Sequence, residues 1–163
     1  MPKKFSIEVA KDYFNFASAH FLIFANGRRE ALHGHNYQVS VAIEGQLDSA
    51  GVVLDFITFK PLVKKICDEL DHRTLIQRSS PALKVSQTKN QVEVLYKNQR
   101  IILPKRDVIL LPLVNTSTEL LAEHIAGQIQ RRVEQKFPVA RLRFMEVSVE
   151  ESHGQRGRFR GEF

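Results

Sequence analysis

The chain has 163 residues, 43% of them hydrophobic, with a formal charge of +6 and a pI near 9.6. That length and apolar content suit a single domain over residues 1–163 with one core, and exclude a second independent domain. The single cysteine, Cys67, rules out an intramolecular disulfide, and no apolar run reaches membrane length, so a cytoplasmic protein with no membrane partner is expected.

From Phe5 to Phe21 apolar and polar residues roughly alternate, and a second alternating run goes from Asn36 through Gln38, Ser40 and Ala42 to Glu44. Both runs predict strands, paired antiparallel. Turn residues Asp48, Ser49 and Gly51 follow, and Asp55 introduces a helix whose Phe59, Leu62, Val63, Ile66 and Leu70 recur at helical spacing. Between Leu83 and Leu111 short runs of Val, Ile, Leu and Tyr are broken by Lys89-Asn90 and Lys97-Asn98, the pattern of an inserted hairpin or meander. Asn115-Thr116-Ser117-Thr118-Glu119 opens a second helix through a capping box, with Leu120, Leu121, Ile125, Ile129 and Val133 on its buried side. A strand from Leu142 to Glu151 and a short closing strand around Phe159 end the chain. The order predicts an α+β domain, an antiparallel sheet with two helices on one face. Such a sheet leaves its other face and its edges to be covered, which favours a homo-oligomer.

His33 and His35 stand two apart at the entry to the second strand, so both imidazoles project from one face, and His20 on the paired strand comes beside them. Three neutral imidazoles fill three of the four positions that Zn²⁺ prefers and leave one open, the arrangement of a catalytic site. Asp71-His72, at the end of the first helix, is a second acid/base candidate, set against the plainer reading of a histidine on the last helical carbonyls.

Four segments, Phe16-Ala17-Ser18-Ala19-His20-Phe21, Leu32-His33-Gly34-His35-Asn36-Tyr37, Leu70-Asp71-His72 and Thr118-Glu119-Leu120-Leu121-Ala122, resemble the 6-pyruvoyltetrahydropterin synthase family, whose relatives include 6-carboxytetrahydropterin synthase of queuosine biosynthesis. The resemblance spans nearly the whole chain, with 83–111 as an addition. It implies a tunnelling fold assembled into rings, commonly a hexamer of two stacked trimers, with active sites between subunits. It also implies zinc held by His20, His33 and His35, and a pterin ring anchored by Glu151 or its neighbour Glu150. Strand alternation favours Glu151, which shares a face with Val147 and Val149. Thr118 and Glu119 are further candidates for substrate contact, although Glu119 also suits a helix cap.

Typical members carry a cysteine shortly before the His-Gly-His motif, whereas this loop reads Asn26-Gly27-Arg28-Arg29-Glu30-Ala31-Leu32. Glu30 resembles the glutamate of a cysteine-lacking branch that releases 6-hydroxymethyl-7,8-dihydropterin for folate synthesis. The expected function is zinc-dependent cleavage of the side chain of 7,8-dihydroneopterin triphosphate or a close relative, with Glu30, Asp71 and His72 catalytic. Arg28, Arg29, Lys105 and Arg106 are the candidates for the phosphates. One alternative is a 6-pyruvoyl- or 6-carboxytetrahydropterin synthase; another, of a different class, is a non-catalytic metal- or anion-binding module. No basic recognition helix or zinc-finger spacing is present, and the basic residues are scattered except for Arg156, Arg158 and Arg160, so no nucleic-acid partner is expected.

Overall fold

In the computed structural model, which describes residues 4–163, strand β1 (Phe5–His20) pairs antiparallel with β2 (His33–Gly45). Helix α1 (Phe56–Leu70) follows, then β3 (Arg73–Gln77), β4 (Lys84–Gln87), β5 (Gln91–Tyr96), β6 (Gln99–Pro104) and β7 (Val108–Leu111). Helix α2 (Thr118–Glu134), β8 (Leu142–Ser152) and β9 (Gln155–Glu162) complete the chain. The main sheet has the order β7-β3-β1-β2-β8-β9, and β4-β5-β6 make a second sheet. Strands β1, β2, β8 and β9 are antiparallel, whereas β3 and β7 extend the sheet in parallel pairings.

Both helices pack on one face. Phe59, Val63 and Ile66 of α1 join Leu121, Ile125 and Ile129 of α2 over Phe16, Tyr37, Val39, Val41 and Val147. Asp55 caps α1 by accepting from the amides of Ile57 and Thr58. Ser117 caps α2, the Leu120 amide donating to its hydroxyl at 3.4 Å. The capping box expected between Thr116 and Glu119 does not form, because the Thr116 hydroxyl donates instead to the Phe21 carbonyl at 3.1 Å.

The segment expected as an inserted hairpin over 83–111 divides in two. Residues 84–104 are a three-stranded meander, and Val108–Leu111 return to the main sheet as β7. Val92, Val94 and Tyr96 of the meander pack on Phe21 and Ile76, covering part of the sheet face opposite the helices. The closing strand β9 is eight residues long, and Gly157 on it meets the start of α2, where a Cβ would come within 2.5 Å of the Glu119 nitrogen.

One irregularity determines what the sheet presents. In β1 the inward residues are odd-numbered up to Val9 and even-numbered from Phe14, because the register with β2 shifts between Ala10 and Asn15. An odd slip of this kind exchanges the two faces of the strand. Beyond it Phe16 stands opposite Tyr37, Ser18 opposite His35 and His20 opposite His33.

Candidate metal centre and active site

With that register the three imidazoles share one face at the end of β1 and the start of β2. Their ring centroids lie 4.8 Å (His20 to His33), 5.3 Å (His20 to His35) and 4.8 Å (His33 to His35) apart. One ring nitrogen from each falls within 4.8 Å of the others.

The hydrogen bonds fix which nitrogens are free. His20 Nδ1 lies 3.0 Å from the Thr116 carbonyl, and His33 Nδ1 lies 2.8 Å from that of Ala31. A carbonyl oxygen can only accept, so both Nδ1 atoms carry the proton and both Nε2 atoms keep their lone pairs. His20 Nε2 is buried without a hydrogen-bond partner among the described residues. Burial holds the His20 pKa down to about 4, although the Thr116 carbonyl works the other way. The ring is therefore neutral near pH 7, as a metal ligand must be. Three imidazoles, two of them oriented by backbone carbonyls, fit a transition metal such as Zn²⁺.

Two carboxylates flank the cluster. Glu30 lies in the loop that leaves β1 and returns to β2, where its amide donates to the Leu22 carbonyl at 2.9 Å and its Oε2 accepts from the Leu22 amide at 3.1 Å. Leu22 is two residues past His20, so both bonds tie Glu30 to the strand end that carries the first ligand. Glu30 forms no ion pair with Arg28 or Arg29 among the described residues; Arg28 stacks on the Phe24 ring and Arg29 lies over that of Phe21. Glu151 Oε2 lies 3.9 Å from His35 Nε2. Glu150 points the other way and is occupied, with Oε1 accepting from the Gly154 amide at 2.8 Å and Oε2 paired to Arg156 at 2.6 Å.

Tyr37, which the sequence reading did not single out, forms the floor. It is fully buried, stacks on Phe16 at 4.7 Å and sits 5.5 Å from the His35 ring. Burial, and then the nearby Glu151 and Glu30 carboxylates, push its phenol upward, and its hydroxyl has no partner among the described residues. The signal was present, since His33, His35 and Tyr37 alternate along one strand face.

A family model described as 6-pyruvoyl tetrahydropterin synthase matches residues 8–162. The chain belongs to that family. A putative 6-carboxy-5,6,7,8-tetrahydropterin synthase of Methanocaldococcus jannaschii is 34% identical over 143 residues, 86% of this chain and 85% of that protein. The crystal structure of 6-pyruvoyl tetrahydropterin synthase from Plasmodium vivax superposes with a TM-score of 0.92 at 31% identity, covering 99% of this chain and 100% of that one. Variants of the Plasmodium protein, in which a glutamate described as a catalytic residue is replaced by alanine or cysteine, give the same TM-score of 0.92. A dihydroneopterin monophosphate aldolase of Pyrococcus furiosus is 44% identical over 46 residues, 28% of this chain and 40% of its own.

The protein is thus a pterin enzyme of the 6-pyruvoyl tetrahydropterin synthase family with its tunnelling fold. In this member the thiol is far from taking part. Cys67 is buried in α1, and burial pushes its pKa up to about 12.

Asp71 and His72 stand apart from the imidazoles. Asp71 Oδ1 accepts from the Ala17 amide at 2.7 Å, and its Oδ2 lies 2.8 Å from His72 Nδ1. His72 is strongly exposed and borders a cleft of about 430 Å³ whose lining includes Ala17, Ala19, Gly34 and Asn36 as well as Ser18 and His35. The first four alternate with the inward-facing residues, so most of this stretch of the lining belongs to the other face of the sheet. Among the described residues, neither Asp71 nor His72 makes a hydrogen bond or ion pair with the three histidines, Glu30 or Glu151. Thr118 and Glu119 bond to each other at 3.3 Å at the start of α2, a short step along the chain from the Thr116 carbonyl that holds His20. Of the candidate phosphate-binding cations that follow β6, Arg106 pairs with Asp107 at 3.4 Å.

Proposed function

We propose that this protein is a zinc-dependent lyase that cleaves the side chain of 7,8-dihydroneopterin triphosphate or a close relative, releasing 6-hydroxymethyl-7,8-dihydropterin. The observation that carries the reading is a carboxylate, Glu30, tethered to Leu22 beside a cluster of three imidazoles whose free nitrogens converge. His20, His33 and His35 would hold the metal, which supplies Lewis acidity to the hydroxyls of the substrate side chain.

The remaining steps belong to the protein. Glu151 accepts two hydrogen bonds from the guanidine-like edge of the pterin, fixing the ring so that its side chain lies against the imidazoles. Glu30 takes the proton of the second side-chain hydroxyl, counted from the ring. That oxygen becomes an aldehyde carbonyl as the bond between the first and second side-chain carbons breaks, and the electron pair of that bond passes through the ring carbon to the adjacent imine nitrogen. Return of a proton to the first carbon yields the hydroxymethyl product. His72, oriented by Asp71, is suited to move protons, and its place on the opposite face means that it would serve the site of a neighbouring subunit. Hence we place the enzyme in a homo-oligomer, a hexamer, with sites between chains, and with Arg28 and Arg29 beside the phosphate tail.

The name of the Plasmodium protein favours a second reading, formation of a 6-pyruvoyl compound, and the partial likeness to an aldolase supports the first. Incubating the zinc-loaded protein with 7,8-dihydroneopterin triphosphate and weighing the pterin product separates them. The expected product is 6-hydroxymethyl-7,8-dihydropterin; a pyruvoyl or carboxy product with triphosphate released contradicts the proposal.

A further inference from the structure

The loop that presents Glu30 is held from outside as well as from within. Inside it, the Phe24 amide donates to the Arg28 carbonyl at 2.9 Å and the Gly27 amide to the Phe24 carbonyl at 2.8 Å, and Ile23 bridges to Arg29. Outside it, the turn between β5 and β6 comes down on the same residues. The Tyr96 hydroxyl donates to the Gly27 carbonyl, and Arg29 Nε donates to Gln99 Oε1 at 2.9 Å. Lys97 at the tip of that turn also reaches the Gly27 carbonyl, at 3.4 Å. Tyr96 is 6% exposed and its ring packs in the cluster of Phe21, Ile76, Val92 and Val94, so the turn is anchored on the main sheet. Arg29 lies between that anchor and the base: its guanidinium is over Phe21, its Nε is on Gln99, and the next residue is Glu30.

We propose that the β4–β6 meander is a positioning clamp, in which Tyr96 and Gln99 hold the Glu30 loop against Leu22 so that the carboxylate stays aimed at the metal-side substrate hydroxyl. The inference rests on the reading of Glu30 as base and assigns a task to a sheet that, among the described residues, makes no hydrogen bond or ion pair with the three histidines. Without these two side-chain bonds the outer half of the loop keeps the long Lys97 contact and its own short-range bonds, while the Asn115 side chain holds only its Ile23 end, and segments held that loosely open locally at small cost. A general base must lie within hydrogen-bond reach of its proton, and displacements of about 1 Å can lower turnover by as much as 10²-fold. Tyr96 and Gln99 are therefore positioning residues that act through Glu30.

Y96F keeps the packed ring and removes only the hydroxyl, and Q99L removes the acceptor for Arg29 at similar size. In the Y96F/Q99L protein, amide hydrogen exchange across residues 22–30 should speed up, while exchange in β1 and β2 and the zinc content stay as in the parent. Its kcat should fall about tenfold, by a larger factor than KM rises, because misaiming a base affects the chemical step more than binding. Q99E, which preserves an acceptor for Arg29, should keep the loop's exchange slow where Q99L speeds it up. In an E30Q background the same double substitution should cause no further loss of turnover. Unchanged exchange in the loop, or an equal further loss in the E30Q background, overturns the clamp. Should E30Q alone keep its turnover, the base assignment fails and the clamp's catalytic purpose fails with it. A normal loss in E30Q beside an unaffected Y96F/Q99L protein overturns the clamp alone.

Discussion

His20 depends on a residue nearly a hundred positions away. The Thr116 carbonyl accepts a hydrogen bond from its Nδ1–H and leaves Nε2 as a buried lone pair with no partner among the described residues. A carbonyl in that place both orients the ring and fixes the tautomer, a role that outer partners of metal-bound histidines commonly have. Glu151 and Glu150 differ by one step of strand alternation and by what already binds them. Glu150 closes the turn at Gly154 and pairs with Arg156, whereas Glu151 faces the imidazoles. Glu151→Gln should therefore weaken binding of a pterin ligand by about 2 kcal/mol, the scale for losing a charged hydrogen-bond partner, as read by calorimetry. Glu150→Gln should leave that affinity near its parent value; the reverse pattern would move the anchor to Glu150. Which of these two glutamates shares the imidazoles' face was legible in the sequence because a strand has a period of two. The Thr116 contact was not, because its backbone carbonyl is the same group at every position and only the tertiary path brings it to His20.

Among the elements, the register shift in β1 matters most for the site. Without it, the pairing of Val9 with Val41 would continue to the end of the strand and His20 would face away from His33. The alternation on either side of the shift is visible in the sequence, but the change of parity inside one strand is not, since no Pro or Gly marks it. Strand β3 was also illegible, for another reason. Leu75 is buried against the helices and Ile76 against the meander, so the strand is covered on both faces and shows no alternation. Helix α2 gives a pH test of the packing. Burial holds His124 below its ordinary value of 6.5, and Arg131 adds to the effect. The unfolded chain then takes up this proton at a higher pH than the folded one. Stability from the neutral ring is fully present above about pH 6.5 and is lost as the pH falls from there through the folded-state value. Urea unfolding should show a lower midpoint at pH 5 than at pH 7.5, and His124→Gln should narrow that gap; an unchanged gap would remove His124 from the acid limb.

At the scale of the whole molecule, the two helices, strands β1, β2, β8 and β9 and the two-layer packing were legible in periodicity and caps, while the meander's place on the opposite face and the parallel pairing of β3 and β7 depend on tertiary contacts that no local pattern encodes. Edge strands β7 and β9 and the exposed His72 suit a chain that completes its sites with neighbours. Light scattering is expected to give a homo-oligomer, and an active species near 18.7 kDa would contradict it. Mixed oligomers of Glu30→Gln and His72→Ala chains should regain turnover that neither parent shows, because some sites then combine an intact Glu30 with an intact neighbouring His72. The central claim, that Glu30 is the base beside a three-histidine metal site, is tested most directly by the turnover of the zinc-loaded Glu30→Gln protein with 7,8-dihydroneopterin triphosphate. Turnover should fall roughly 10²-fold or more with zinc content and substrate affinity retained, the scale of a positioned acid/base group. Near-normal turnover to the same product would contradict it.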